Sequence, residues 1–484
     1  MRFALPVAAL ALVAQTVMAQ TPASLTLDEA VSLARRNNPL FQQTVNARRS
    51  ADANVRTAYA SLLPSVSANM SGRYQVAGQQ FVQGIALQQN ADVMQGSYGL
   101  NVSYNISSDV LFAPRRFGAQ RDAAEADVTG ATEFLRATVT QQYIAVLQAK
   151  ARASLQDTLV QTTQGQLELA KARQAVGAGT ILDVRTAEVA LGRAEVATLQ
   201  AYNLAEVEML RLFQQLGVAQ PANVTLTTKF AITPVQFALD SLLHLARQRH
   251  PDLLALHSRE RAAGLEVKGA MGRYAPTLSL STGWGGNANQ FTNSDFLVSR
   301  AQANQIGGLS QCFTTDSVRT GAGMPGLNCN ALFPPLTATD EAAIRAGNNF
   351  NFDRAPRSFS AFLSLPLFNN LQREQQLQQA QIGRDNVRFS LRARELQLVM
   401  EVTQAHRNLA TAVKTTELQE INAVAAREQL SFAEERYRVG AATFLDVTTS
   451  RGTFEQAQID RVNAIYEYHR AFAALESAVG RPLR

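Results

Sequence analysis

Apolar residues recur along this chain with two different periods, and the switch between them marks out its elements. Residues 28–62 carry a helical pattern, with Asp28 available as a cap and Pro64 as a stop. The pattern then alternates: Val66, Ala68 and Met70 share one face within Ser65–Tyr74, and Leu100, Val102, Tyr104 and Ile106 share one face within Gly99–Ser107. Leu278, Leu280, Thr282 and Trp284 alternate in the same way, as do Phe359, Ala361, Leu363, Leu365 and Leu367. Strands of about ten residues with one apolar face have the length of a transmembrane β-barrel span. The same pattern suits a soluble sandwich, so the strands alone decide nothing.

The helical stretches are more specific. Arg115–Val176 and Leu371–Val439 contain no proline, which gives runs of 62 and 69 residues. At 1.5 Å per residue these predict helices of about 93 and 104 Å. Such helices cannot wrap an ordinary core and read as coiled-coil-like arrays. Shorter helices over 28–62 and 180–213 bracket the first of them.

The chain is written twice. Leu27-Asp28-Glu29-Ala30 with Asn38-Pro39 recurs as Leu239-Asp240-Ser241-Leu242 with His250-Pro251, and Pro64 recurs as Pro276, at an offset of 212. Val176-Gly177-Ala178-Gly179-Thr180-Ile181-Leu182-Asp183-Val184 recurs as Val439-Gly440-Ala441-Ala442-Thr443-Phe444-Leu445-Asp446-Val447, at an offset of 263. The difference locates an insertion in the second half, an irregular stretch over about 287–357. The predicted organisation is a leader over 1–19, a first repeat over 20–230 and a second over 231–484. Each half reads helix, strand, strand, long helix, turn, helix. Four strands cannot close a barrel, eight would fill their interior with side chains, and twelve or more leave a passage, so the pattern demands an oligomer.

The N-terminus adds a destination. Arg2 precedes an apolar run and Val17-Met18-Ala19 suits cleavage before Gln20, the pattern of a secretory signal peptide. Beyond it no run of 18 apolar residues occurs. The two cysteines, Cys312 and Cys329, lie in the insertion. In an oxidising compartment a disulfide is the natural reading, closing a loop of about 18 residues for roughly 3 kcal/mol. The formal net charge of +6 is dispersed without a basic cluster, so no nucleic-acid footprint is present.

The Leu-Asp-x-Ala helix start, the Asn-Pro break and the doubled Val-Gly-x-x-Thr-x-x-Asp-Val turn resemble the TolC-type outer-membrane efflux protein family over nearly the whole mature chain. The resemblance implies a mixed all-α plus β-barrel fold with two structural repeats and four membrane strands per protomer. In the family these assemble as a homotrimer, a twelve-stranded β-barrel in the outer membrane continued by a twelve-helix α-barrel in the periplasm. The implied function is a passive exit duct working with an inner-membrane pump and a periplasmic adaptor, without cofactors. The implied adaptor-docking turns are Val176, Gly177, Gly179 and Thr180, and Val439, Gly440 and Thr443. Asp446 matches a constriction aspartate at the periplasmic entrance, and Tyr437 and Asp183 match a network that holds it shut. Two positions depart from the family. Ala442 stands where the network has arginine and Thr449 where a second constriction aspartate is expected, leaving Arg185 and Arg438 as candidate substitutes. The local reading of Asp183 and Asp446 is a carboxylate at a helix N-terminus.

Catalytic signatures are missing from the sequence. The five histidines form no zinc-protease pair, and Gly-x-Ser-x-Gly and P-loop patterns do not occur. The competing readings are an exit duct for small-molecule efflux, an exit duct for type I protein secretion, and a periplasmic adaptor, which would carry its helical hairpin only once.

Overall fold

The computed structural model describes residues 24–82, 85–89, 91–228, 230–232 and 237–483; the expected signal peptide lies outside them. Two compact units result, one from the residues up to Val55, Arg115–Leu265 and Gln379–Arg484, the other from Arg56–Pro114 and Glu266–Gln378. Each takes residues from both repeats.

The chain opens with β1 (Ser24–Leu25), α1 (Leu27–Asn37) and α2 (Pro39–Ala60). Thr26, not Asp28, is the cap: its hydroxyl accepts from the Glu29 N–H at 3.3 Å and the Glu29 carboxylate accepts from the Thr26 N–H at 2.9 Å. The expected single helix over 28–62 is two, because Pro39 has no N–H to continue the first. Asn38 ends α1 and starts α2, its Oδ1 accepting from the Phe41 N–H at 3.0 Å. β2 (Ser65–Gln75), β3 (Gln79–Val82), β4 (Ile85–Gln89) and β5 (Val93–Ile106) follow, then α3 (Ser108–Ala175), α4 (Ile181–Leu216) and β6 (Thr225–Leu226). α3 begins ahead of the proline-free window and carries Pro114, whose missing N–H leaves the Val110 carbonyl without its helical donor.

The second half gives α5 (Leu239–Arg249), α6 (Pro251–Gly272) and β7 (Thr277–Phe291). The insertion expected to be irregular is largely helical: α7 (Asp295–Gly321), α8 (Cys329–Leu332) and α9 (Ala338–Ala346). Its Ser/Thr- and Gly-rich sequence hides a helix that buries only Val298 and Cys312. A disulfide joins Cys312 to Cys329, with the Cα atoms 5.7 Å apart. The Asp295 carboxylate pairs with Arg345 of α9 at 3.1 Å. Then come β8 (Asp353–Arg354), β9 (Ser358–Ser364), α10 (Gln372–Arg438) and α11 (Phe444–Val479). β9 stops short of Leu365 and Leu367, since Pro366 cannot donate to a ladder.

In the helical unit the repeat reappears as packing. Leu135, Val139, Val146, Met209, Leu212 and Leu216 build one core cluster with α1. Leu398, Val402, Leu409, Phe472, Leu475 and Val479, the same positions 263 residues on, build another with α5. Both cores are mainly aliphatic, with two buried rings in each, Tyr143 and Phe213 in the first and Tyr468 and Phe472 in the second.

The other unit is built on a sheet with the order β2-β5-β7-β8, β9 also pairing with β7, each pair antiparallel. Its two faces differ in chemistry. Val66, Ala68 and Met70 stand beside Val102, Leu100 and Tyr98, and Thr282 and Leu280 beside Phe359 and Ala361. On the outer strands these side chains are bare, Met70 being 80% exposed and Phe359 73%, while Val102 and Leu280 between them are half-buried. The opposite face is a ladder of hydroxyls and amides. Ser65 meets Ser103 at 2.7 Å, Ser71 meets Ser97 at 2.7 Å, Ser281 meets Ser360 at 2.6 Å and Asn101 donates to Asn69 at 2.9 Å. Phe362, opposite Ser279, is apolar on that side, as are Val93 and its partner Phe291 at the ends of β5 and β7. None of the described helices is long and apolar enough to cross a membrane.

Candidate functional site

The doubled turn forms the candidate site. At the end of α3, Gly177 takes φ +76°, and at the end of α10, Gly440 takes φ +79°. An L side chain resists that conformation, which explains glycine at both positions. Each turn closes the same way. The Ala178 N–H donates to the Arg173 carbonyl at 2.9 Å, and the Ala441 N–H to the Arg436 carbonyl at 2.8 Å.

Both following helices start with a capping box. The Asp183 carboxylate accepts from the Thr180 N–H at 2.9 Å while the Thr180 hydroxyl accepts from the Asp183 N–H at 3.2 Å. Thr443 and Asp446 repeat this at 2.8 and 3.3 Å, and the Thr443 hydroxyl also donates to Asp446 at 2.8 Å. These bonds, the backbone N–H foremost, hold the Asp446 carboxyl below its ordinary range, with the Arg436 charge adding a smaller effect. Within this chain both aspartates therefore complete helix capping boxes.

Between the turns lies a shared core of Leu167, Ala170, Val184, Ala187, Tyr437, Phe444 and Val447. Tyr437 is buried there with its ring 5.6 Å from that of Phe444. Its hydroxyl is buried without a hydrogen-bond partner among the described residues. Burial raises its pKa, opposed by the nearby Arg173 charge and reinforced by that of Asp183. Asp183 thus reaches Tyr437 through its field and not through a hydrogen bond.

The residue that joins the two turns is Arg173. Its guanidinium lies 4.2 Å from the Tyr437 ring centroid. It donates to the Tyr437 carbonyl at 2.6 Å, the Arg438 carbonyl at 3.2 Å and the Ala178 carbonyl at 3.1 Å. One side chain of the first repeat thereby ties down the orphan carbonyls at the end of the second repeat's long helix. The two arginines expected as substitutes are engaged on their own helices, Arg185 with Glu188 at 2.8 Å and Arg438 with Glu435 at 3.0 Å. Ala442 packs against the shared core, and the Thr449 hydroxyl donates to the Leu445 carbonyl at 2.9 Å. A sequence signal for Arg173 existed, since Arg173 and Arg436 each precede the turn glycine by four residues.

Around this core the tip is bare and apolar: Val176 is 79% exposed and Val439 70%, with Leu182 and Leu445 also exposed. Among the described residues no group of three or more His, Cys, Asp and Glu side chains is gathered as a metal site requires.

The pattern of the family described as outer membrane efflux protein matches residues 30–218 and 326–481. No curated protein matches the sequence. Solved structures share the fold. A membrane protein from Pseudomonas aeruginosa superposes with a TM-score of 0.71 at 19% identity, covering 94% of this chain and 90% of that one. The outer membrane protein VceC from Vibrio cholerae gives 0.68 at 18% identity, over 95% of this chain and 97% of its own. The MtrE outer membrane channel of Neisseria gonorrhoeae in its open state gives 0.70 at 16% identity, over 95% and 89%.

Proposed function

The chain belongs to the outer membrane efflux protein family, and from that premise we propose that it is the exit duct of a tripartite efflux system. In this reading three copies close a twelve-stranded barrel in the outer membrane of a Gram-negative cell, continued by a helical barrel in the periplasm. The duct conducts small molecules passively from an inner-membrane pump and a periplasmic adaptor.

The observation that carries the reading is the two-faced sheet. A soluble protein does not leave Met70, Val66, Phe359 and Leu363 bare on one contiguous face while stacking serine and asparagine on the other. Facing lipid outward and water inward, the same alternation is what a channel wall requires. Four rows of strand per chain, with β8 and β9 in succession along β7, call for further copies to close it. In the helical unit, the exposed apolar turns at Val176–Thr180 and Val439–Thr443 offer a docking surface for an adaptor. Asp446 supplies an acidic ring at the entrance, and Tyr437 with Asp183 and Arg173 supplies the latch.

Native mass spectrometry with conductance in planar bilayers tests this. A trimer with steps of defined conductance is expected; a monomer without conductance overturns it. Asp446→Ala should weaken block by trivalent cations, since a charged ring selects by its field; unchanged block removes Asp446 from the entrance. Efflux and protein secretion separate in a deletion strain, in which drug sensitivity with normal secreted protein is the expected outcome.

A further inference from the structure

The insertion returns to the sheet through the segment Phe350–Arg357, and the aromatic rings of that segment lie on one side of it. Phe352 meets Tyr98 edge-on with ring centroids 5.3 Å apart, and Phe350 meets Phe352 at 5.5 Å. Two glycines make room. A Cβ on Gly96 would sit 2.6 Å from the Phe350 ring, and one on Gly286 would sit 2.7 Å from the Tyr98 ring. The rings therefore lie over Gly96 and Gly286, on the face that carries Leu100, Val102 and Met70. That is the bare apolar face, not the face of the serine ladder.

Charge is sorted across the same segment. Arg354 pairs in register with Gly286, which itself pairs with Tyr98, so Arg354 stands at an apolar-face position. Its neighbour Asp353 pairs with Asn287 and falls on the hydroxyl side. Arg354 and Arg357 are exposed, and neither has a carboxylate partner among the described residues. Aromatic rings with cations at the edge of an apolar band are the chemistry of a membrane interface, where rings settle at headgroup depth and arginine meets phosphate.

We propose that Phe350–Arg357 is an interfacial anchor, which seats the outer rim of the sheet in a phosphate-bearing lipid headgroup layer. The returning segment thereby leaves the rim on its lipid side. This rests on the barrel reading above, and it names the surface that the insertion touches.

The single tryptophan, Trp284, lies on the apolar face beside Leu100 and serves as the internal control. The full-length protein is reconstituted in phosphatidylcholine–phosphatidylglycerol vesicles carrying bromine at shallow or deep acyl positions. In the wild type, Trp284 should be quenched most by deep bromines. With Phe352→Trp on a Trp284→Phe background, quenching should be greatest with shallow bromines. Adding Arg354→Glu and Arg357→Glu should reduce that shallow quenching at least twofold; an unchanged value overturns the pairing of these arginines with phosphate. If the indole introduced at 352 answers only to aqueous acrylamide while Trp284 is quenched by lipid, the anchor is overturned and the barrel stands. If Trp284 itself escapes lipid quenching, the barrel reading fails and the anchor with it.

Discussion

The two repeats end their long helices with the same backbone and different side-chain duties. Gly177 and Gly440 take the same left-handed conformation, Thr180 and Thr443 build the same capping box, and Arg173 and Arg436 each donate to the turn alanine, Ala178 at 3.1 Å and Ala441 at 3.3 Å. Only Arg173 crosses to the other turn. Tyr437, which it grips, has Gln174 as its counterpart in the first repeat. The halves also differ at the helix break, where Asn38 is matched by His250. Duplication preserved what the backbone needs, and divergence fell on the side chains that join one half to the other.

Substituting Arg173 should break this comparison most. Arg173→Ala removes charge-assisted bonds to three carbonyls, a loss of about 2 kcal/mol, whereas Arg436→Ala should change stability by less than about 0.5 kcal/mol. Hydrogen exchange at the tip of the intact protein reads both, and equal effects would dissolve the asymmetry. Tyr437→Phe should leave exchange unchanged, because the lost hydroxyl has no partner to forfeit.

The glycines sharpen the opposite half of the comparison. Gly177→Val and Gly440→Val should each cost about 1–2 kcal/mol, since both force a branched residue to positive φ. Thermal unfolding showing one much larger than the other would mean that the turns are not equivalent in backbone.

Acid offers a finer probe. The Asp446 pKa is lowered in the folded state, so its cap is intact above the unfolded value and is lost as pH falls through the lower folded one. The first turn of α11 should therefore hold its exchange protection from neutral pH down to about pH 4 and lose it only below. Fraying of that turn near pH 6 would contradict the assignment.

The smallest expected effect concerns the helix breaks. His250 is buried, and its Nδ1 accepts from the Asp252 N–H at 3.3 Å, as Asn38 does for Phe41. Burial lowers its pKa, opposed by Asp252 and assisted by the Arg394 charge. A base with a lowered folded pKa stabilises fully above its unfolded value, and that contribution declines as pH falls below about 6.5. His250→Asn should abolish this decline in the unfolding midpoint and leave the neutral-pH value within about 1 kcal/mol.

Much of the fold was legible because repetition amplifies weak signals. A single alternating segment such as Ser65–Tyr74 is ambiguous, but four of them in a duplicated order around two very long helices are not. Boundaries were harder. β5 begins at Val93, six residues before the alternation is visible, because Gln95, Gly96 and Ser97 offer no apolar partner to Tyr98 and Leu100. The helices of the insertion were invisible for a related reason, since the less exposed face of α7 carries Gln305, Gly308, Asp316 and Arg319 beside Val298 and Cys312, and no apolar stripe marks it. At the tip, the paired glycines, threonines and aspartates were plain from their spacing. Arg173 was not, because its importance lies in reaching carbonyls of residues 264 and 265 positions away.

The serine and asparagine ladder of the sheet has a consequence for whatever travels along it. Between Ser65 and Ser71 and their partners on β5, that face offers hydroxyls and amides that can donate or accept, and no fixed charge. In the proposed duct, a solute sliding past exchanges water for a surface that solvates much as water does. Such a lining neither traps cargo nor repels it. It behaves as a lubricant, and in that duct discrimination falls to the Asp446 ring proposed for the entrance.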